Sequence, residues 1–459
     1  MDIQNIERGI QATLEALGIP MPSPWISDGP TFTSVALRIS DEKDRAAALD
    51  SADTMAFNIG ITPIRTVGTE DGIIIEIPKE RSERVSTHLR EAMAGTQWDM
   101  GELPLFLGYG RGWEPIVADL TLCPHFLIAE ASCQGKGVLM RCMLDSLLSA
   151  RTASDVNFFI ADPEMVEFTE YRNLDRRWFF GKGICVTPRE IVEGLTDLCS
   201  EMDRRFESLR KARARNIQEY RMDNNDMPYI VAVINEVSDL IGQEGTLSHQ
   251  FTDKIIRLSQ KGRSVGIHLI ISTRHPNIDV LTDTIKMNFP TRIALRTASP
   301  LDSIHIIDEK GAERLLGKGD MLALYDGNIT RLQGNFDDIE FTREVIAKAN
   351  GGFDTVTPLG EEAPSRPEPS LSSVDISDDF TAAARLVIES LTASCSLLQR
   401  SFGWGYSKAW RIMDQLEAAG IVGPMNGTKP REVFYQCIED FERALENLDK
   451  YSLDTTQYD

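Results

Sequence analysis

Apolar residues recur at helical spacing near the start of the chain, with Ile6, Ile10, Leu14 and Leu17 on one face. Two later stretches, Ser34–Ile39 and Gly72–Ile77, alternate as half-buried strands do. This mixture predicts a small α+β domain over residues 1–115. Between residues 116 and 350 the pattern changes to short apolar runs separated by longer amphipathic stretches. The runs are His125–Ala131, Val156–Ala161, Tyr229–Ile234, His268–Ser272, Arg292–Arg296 and Asp320–Leu324. Strands that are apolar on both faces, with helices between them, predict a parallel sheet covered on both sides and hence an α/β domain.

Periodicity then fails. Residues 351–379 hold Pro358, Pro364, Pro367 and Pro369, many serines and seven acids against Arg366 alone, which predicts a linker with too little to bury. It returns over residues 380–437. A helix is expected over Phe380–Leu391, and a second is capped by Ser394 and runs to Phe402. Gly403-Trp404-Gly405 makes a turn before a third helix, Tyr406–Ala419. Ile421–Tyr435 reads as a two-stranded wing turning near Asn426-Gly427. A helix–turn–helix followed by a wing is a nucleic-acid-reading shape, and docking of a protein partner is the alternative use. Residues 438–459 form an acidic tail.

Charge narrows the function classes. The 459 residues carry 48 basic and 70 acidic side chains, a net charge of −22, which excludes non-specific coating of nucleic acid because phosphates would be repelled. Residues 121–350 are the least acidic part, with 29 basic against 33 acidic side chains, so a local basic surface is expected there or in a short patch elsewhere. The seven cysteines, at 123, 133, 142, 185, 199, 395 and 437, form no CxxC pair, and the six histidines show no ligand spacing. No disulfide framework and no metal site are expected. No apolar run reaches the ~18 residues of a membrane span, and the first residues lack a signal-peptide pattern. The expectation is a cytoplasmic protein without membrane contact.

Two motifs carry candidate chemistry. Glu130-Ala131-Ser132-Cys133-Gln134-Gly135-Lys136-Gly137 lies between an apolar strand and an apolar helix, where a phosphate loop reads G-x-x-x-x-G-K-[ST]. Gly135 would let backbone N–H groups close on phosphate, and Lys136 would neutralise its charge. The first glycine is replaced by Glu130, and the Mg²⁺-holding hydroxyl by Gly137. A carboxylate ~6 Å from a phosphate charge, at an effective dielectric of ~20, is repelled by roughly 2–3 kcal/mol unless it turns away. A plain strand–turn–helix with a surface lysine is the other reading. About 100 residues on, the strand Tyr229–Ile234 ends in Asn235-Glu236, where a Walker B element would have two carboxylates. Asn235 brings no charge to a metal, and Glu236 could serve as the base.

With these residues in place the chain resembles the FtsK/SpoIIIE family of DNA translocases. The resemblance rests on Pro124-His125-Phe126-Leu127-Ile128-Ala129, on Ile160-Ala161-Asp162-Pro163-Glu164 where the family has I-D-P-K, and on Glu201–Phe206. It continues through Gly266–Leu269, Ile285–Ala294 and Gly311–Leu322, and then through Arg411–Pro424 and Lys429–Val433. It implies a RecA-like P-loop NTPase motor domain over 116–350, a small N-terminal α+β domain and a C-terminal winged-helix domain. It also implies ATP as cofactor, double-stranded DNA as partner and self-association into a hexameric ring.

The departures from the family pattern are selective. Both Mg²⁺-supporting positions are altered, at Gly137 and Asn235, so the Walker A and Walker B motifs are degenerate and the Mg²⁺ site is weakened. The family's T-Q-R-P reads Thr273-Arg274-His275-Pro276, and K-I-D-S-R reads Pro300–Ile304. The nucleotide-binding candidates are Gly135, Lys136, Gly137, Asn235 and Arg274, which could reach phosphate from a new direction. Glu236 is the candidate base and Arg263 the candidate trans-acting arginine finger. The DNA-binding candidates are Ser407, Lys408, Arg411, Lys429 and Arg431. Ser407 and Lys408 replace an Asn and an Arg of the family's recognition helix, and Lys cannot reproduce a planar bidentate contact. The expectation is a degenerate ring-forming subunit with little or no ATP hydrolysis, acting through DNA, a partner or mixed assembly with a host FtsK-type translocase. An active translocase, and a structural or inhibitory protein that no longer binds DNA, are the alternatives.

Overall fold

The computed structural model describes residues 3–95, 98–224, 226–241, 245–325, 327–351, 378–390, 393–419, 421–423, 431 and 433. The chain divides into two compact units, Met1–Leu359 and Gly360–Asp459. Most of the expected linker, the tail over 438–459, Lys429 and the tip of the expected wing lie outside the described residues.

The first unit begins with helix α1 (Ile3–Ala16), strands β1 (Trp25–Asp28) and β2 (Phe32–Arg38), helices α2 (Glu42–Asp50) and α3 (Ala52–Ile59), and strands β3 (Arg65–Thr69) and β4 (Gly72–Pro78). The four strands form an antiparallel sheet in the order β1-β2-β4-β3. The helical stripe of Ile6, Ile10 and Leu14 packs on Val35, Leu37, Ile73, Ile75 and Ile77 from that sheet.

Helix α4 (Leu89–Gly95) leads to β5 (Pro104–Tyr109) and β6 (Pro115–Asp119). The α/β core follows: β7 (His125–Ala129), α5 (Lys136–Ala150), β8 (Val156–Ala161), β9 (Phe179–Cys185), α6 (Pro188–Ala212), α7 (Ile217–Asp223), β10 (Tyr229–Ile234), α8 (Ser238–Ile241), α9 (Thr246–Lys261) and β11 (Ile267–Thr273). It closes with α10 (Asp283–Asn288), β12 (Thr291–Leu295), α11 (Pro300–Ile307), β13 (Asp320–Tyr325), β14 (Asn328–Gln333) and α12 (Ile339–Ala349).

Ten strands make one sheet, ordered β6-β5-β14-β13-β12-β7-β11-β10-β8-β9. From β12 to β9 every pairing is parallel, so the C-terminal ends of these strands emerge side by side. Alternation sorts the faces. Phe126, Ile128, Val231 and Val233 pack against Leu139, Met143 and Leu147 of α5. Leu127, Ala129, Ala232 and Ile234 pack against Leu195, Leu198 and Met202 of α6 and Phe251, Ile255 and Leu258 of α9. This is a RecA-like arrangement with helices on both sides.

The hydropathy pattern put residues up to 115 in the N-terminal domain, yet β5 and β6 lie on the edge of the large sheet. Leu105 and Leu107 belong to its core, and Phe106 N–H donates to the Ser146 hydroxyl of α5 at 3.1 Å. A local pattern identifies a strand but not the sheet it joins. The two sheets are tied by a buried charge cluster. Arg331 of β14 donates to Asp320 at 2.9 and 2.7 Å and to Glu76 of β4 at 3.1 Å. Arg65 and Arg111 also reach Glu76, at 3.0 and 3.1 Å. Burial pushes the Glu76 carboxyl up, but the Arg331, Arg65 and Arg111 guanidiniums outweigh it and hold the group below the ordinary carboxylate range.

In the second unit, α13 (Asp378–Ser390), α14 (Cys395–Phe402) and α15 (Tyr406–Ala418) surround Phe380, Val387, Leu398, Ile412 and Leu416. Ser394 caps α14 by accepting from Leu397 N–H, and Gly403 ends it at φ 67°. Antiparallel bridges Ala393–Arg431 and Val422–Val433 mark the base of the expected wing.

Removing Arg331 leaves buried Asp320 without its ion pair and takes one of three guanidiniums from Glu76. Arg331→Ala should therefore destabilise the protein by about 3–5 kcal/mol in chemical denaturation. Phe57→Ser, at a side chain 86% exposed, should shift stability by less than about 0.5 kcal/mol.

Candidate functional site

The loop between β7 and α5 sits where a parallel sheet gathers its strand ends. Its backbone is bent as a phosphate loop is: Cys133 has φ 61° and Gly135 φ 116°. The left-handed conformation at Cys133 costs a side chain roughly 1–2 kcal/mol, so the surrounding fold imposes it. The cradle, however, is occupied from within. The backbone N–H groups of Gln134 and Lys136 donate to Glu130 Oε2, at 3.0 and 2.9 Å. Burial pushes the Glu130 carboxyl up to about 7, against the opposing pull of Lys136 and these two N–H groups.

Lys136 points away from the cradle. Only 3% exposed, its Nζ donates to Asn235 Oδ1 and Glu236 Oε2, each at 3.0 Å. Glu236 has φ 50°, a strained conformation for a non-glycine residue, which turns its carboxylate into the sheet end. There it accepts from Lys136, from the hydroxyls of Thr273 (3.0 Å) and Ser238, and from Arg274 N–H and Nε (3.1 Å each). Burial works to raise its pKa, but the Lys136 ammonium and these donors hold it below the ordinary range. A carboxylate 1% exposed, saturated with donors and lowered in basicity is poorly placed to activate water.

The remaining departures fit one another. Asn235 Nδ2 donates to Asp162 Oδ1 at 3.1 Å and to Glu164 Oε2 at 3.3 Å, so an aspartate there would face two carboxylates. Arg274 pairs with Glu164 as well as Glu236. Glu164 stands where the family pattern has Lys and Arg274 where it has Gln, a coordinated exchange of charge. At Gly137 a Cβ would run into the Glu167 carboxylate, which Arg141 holds at 2.8 Å. A metal-binding hydroxyl there would first have to displace the Glu167 carboxylate. Among the described residues no group of three or more His, Cys, Asp or Glu is arranged to hold a metal ion.

Family models match the chain in two places: the FtsK/SpoIIIE family over residues 88–278 and the Ftsk gamma domain over residues 376–436. The chain belongs to the FtsK/SpoIIIE family. It is 36% identical to the DNA translocase FtsK of Chlorobaculum tepidum over 436 residues, which cover 89% of this chain and 52% of that protein. It is 32% identical to the DNA translocase SpoIIIE of Bacillus subtilis over 449 residues, covering 93% and 55%. The chain thus spans about half the length of the curated relatives it matches. Among solved structures, the pCW3 conjugation coupling protein TcpA, in its monomer form with ATPγS, has the same fold at 20% identity. Its TM-score is 0.54, over 75% of this chain and 99% of that one. The cytoplasmic domain of Thermomonospora curvata EccC aligns at TM-score 0.51 and 20% identity, over 64% and 38%. Among the described residues no helix is long and apolar enough to cross a membrane.

In the FtsK gamma region the candidate DNA contacts diverge. Arg411 is exposed on α15. Lys408 lies 4.6 Å over the Trp404 ring and pairs with Asp379 at 2.6 Å. Arg431 turns inward, 7% exposed, and bonds Asp414 at 2.9 Å, Glu417, and Met413 O at 3.4 Å. It ties residue 431 to α15 instead of presenting a cation to solvent. Lys429 and the Ser407 side chain lie outside the described residues. Arg263 is exposed in the turn before β11, at the opposite end of that strand from Arg274 and from the loop. It does not join this chain's own site. The structure brings together Gly135, Lys136, Gly137, Asn235, Glu236 and Arg274. Sequence reasoning did not foresee that Asp162, Glu164 and Glu167 complete the network. The signal was the change from I-D-P-K to Ala161-Asp162-Pro163-Glu164, which pairs with Arg274.

One further group on α5 titrates. The Thr342 hydroxyl lies 2.8 Å from Asp145 Oδ2 and 2.9 Å from Asp337 Oδ2, and Tyr171 donates to Asp145 at 2.7 Å. A hydroxyl has one proton to give, so one carboxyl of the pair keeps its own. Burial, with Asp337 beside it, pushes Asp145 up to about 8.

Two outcomes follow from this geometry. Gly137→Ser should lower the melting temperature by roughly 2–8 °C, and Glu167→Ala in the same chain should recover part of the loss. Asp145 binds its proton more tightly folded than unfolded, so the stability it lends is present below its unfolded pKa and lost as pH rises through about 8. Melting curves from about pH 5 to about pH 9 should fall less steeply for Asp145→Asn than for the parent protein.

Proposed function

We propose that this chain is a ring-joining FtsK/SpoIIIE-type subunit with little or no ATP hydrolysis of its own. It acts by assembling with an active translocase of the same type, in a hexameric ring around double-stranded DNA. The observation that carries this reading is the closed network Lys136–Glu236–Arg274–Glu164, in which the lysine, the candidate base and Arg274 are paired with one another at the end of the sheet. Loss of one electrostatic catalytic group commonly lowers a rate by ~10²–10³, and here the metal-supporting positions 137 and 235 and the base are altered or occupied together. The exposed Arg263 is free of that network and supports a role toward a neighbour's nucleotide. The inward Arg431 and the paired Lys408 favour weak DNA contact by the C-terminal unit, and so a partner-directed role.

ATP hydrolysis by the purified protein, with and without long duplex DNA and beside Lys136→Ala, tests the proposal. Turnover should stay at background in both proteins and should not respond to DNA. DNA-stimulated turnover that disappears in Lys136→Ala would establish a working motor and overturn this reading.

A further inference from the structure

The Glu130 side chain does more than remove a glycine from the loop. Its Oε2 accepts two hydrogen bonds from Gln134 N–H and Lys136 N–H at the start of α5, which are donors a phosphate would use. We infer that the Glu130 carboxylate is a built-in occupant of the phosphate cradle, and that nucleotide binds only when this side chain leaves it. The inference rests on reading residues 130–137 as a nucleotide loop, and it concerns binding, where the proposal above concerns hydrolysis.

Three features make the carboxylate a removable plug and not a fixed strut. The backbone is held independently of it, with Glu130 N–H donating to Thr273 O at 3.3 Å and Ala131 N–H to Arg296 O at 2.8 Å. Glu130 also lines a cleft of about 310 Å³ together with Ser132, Arg274, His275, Thr297 and Asp302. Rotation about its side-chain torsions therefore carries the carboxyl toward the cleft without moving the strand. Finally, the cradle geometry survives: Cys133 and Gly135 keep the positive φ that turns these N–H groups inward. The loop keeps its inward N–H groups, and their present acceptor is its own side chain. A phosphate cannot share the cradle, because like charges at contact distance repel.

The test is equilibrium titration of the full chain with ATPγS, without divalent metal, for the parent protein, Glu130→Gln and Glu130→Gly. Removing a side chain that occupies two N–H donors of the cradle should tighten binding by about tenfold in Glu130→Gly. Glu130→Gln should fall between the two, because its amide oxygen accepts the same N–H groups without the charge. Inorganic pyrophosphate should displace the ligand from both variants. Equal affinity in all three proteins, or binding by none of them, overturns the inference. If Glu130→Gly fails to fold, as judged by its melting curve, the near-isosteric Glu130→Gln decides alone, and an affinity equal to the parent's overturns it. ATP turnover measured separately on the same three proteins, with ATP and Mg²⁺, keeps the two ideas apart. Hydrolysis by the parent protein would contradict the proposed function and leave the plug to be judged by the affinities.

Discussion

A lysine ammonium buried at the end of a parallel sheet cannot remain without anionic partners, and the site of this protein is organised around that constraint. Removing an ammonium from water costs several kcal/mol, which only close, well-directed carboxylates and carbonyls offset. Lys136 finds Glu236 and the Asn235 carbonyl at 3.0 Å. Once Glu236 is spent on Lys136 and Arg274, it has little left for water. Once Arg274 is spent on Glu236 and Glu164, it has little left for phosphate. Each replacement that looks like a loss in isolation has a neighbour that accommodates it: Asn235 suits Asp162 and Glu164, Gly137 suits Glu167, and Glu130 suits the bare N–H groups of the loop.

The same principle binds the N-terminal sheet to the large one. Glu76, Arg331 and Asp320 are buried on strands from two different sheets, and Arg331 bridges the two carboxylates. A cluster of this kind adds little net stability compared with apolar packing, but it admits only one arrangement of the partners. The N-terminal α+β region is thereby fixed in orientation relative to the strands that carry the loop.

Much of the architecture could be read from the chain. Runs of Ile, Val and Leu without polar interruption marked β7, β10 and β11, because a strand covered on both faces has no solvent side. Ser394, Gly403 and the apolar spacing of α15 marked the C-terminal helices through local capping and periodicity. The departures at Glu130, Gly137, Asn235 and Arg274 were visible one position at a time. Their fit to one another was not, since Lys136 and Glu236 are 100 residues apart in sequence and meet only because β7 and β10 both border β11. Arg431 misled for a related reason. Its family setting suggested a solvent-facing cation, and two acids one helical turn apart on α15 drew it inward.

The sequence by itself determined which segments are strands and helices, their parallel α/β character and the family, because these depend on periodicity, local capping and motif order. The tertiary structure decided the sheet to which β5 and β6 belong and the direction in which each charged side chain points. It also decided that the phosphate cradle is filled by a carboxylate of the same chain. Those outcomes depend on which charges are brought out of water together, and burial of one charge is resolved only by the position of its partner.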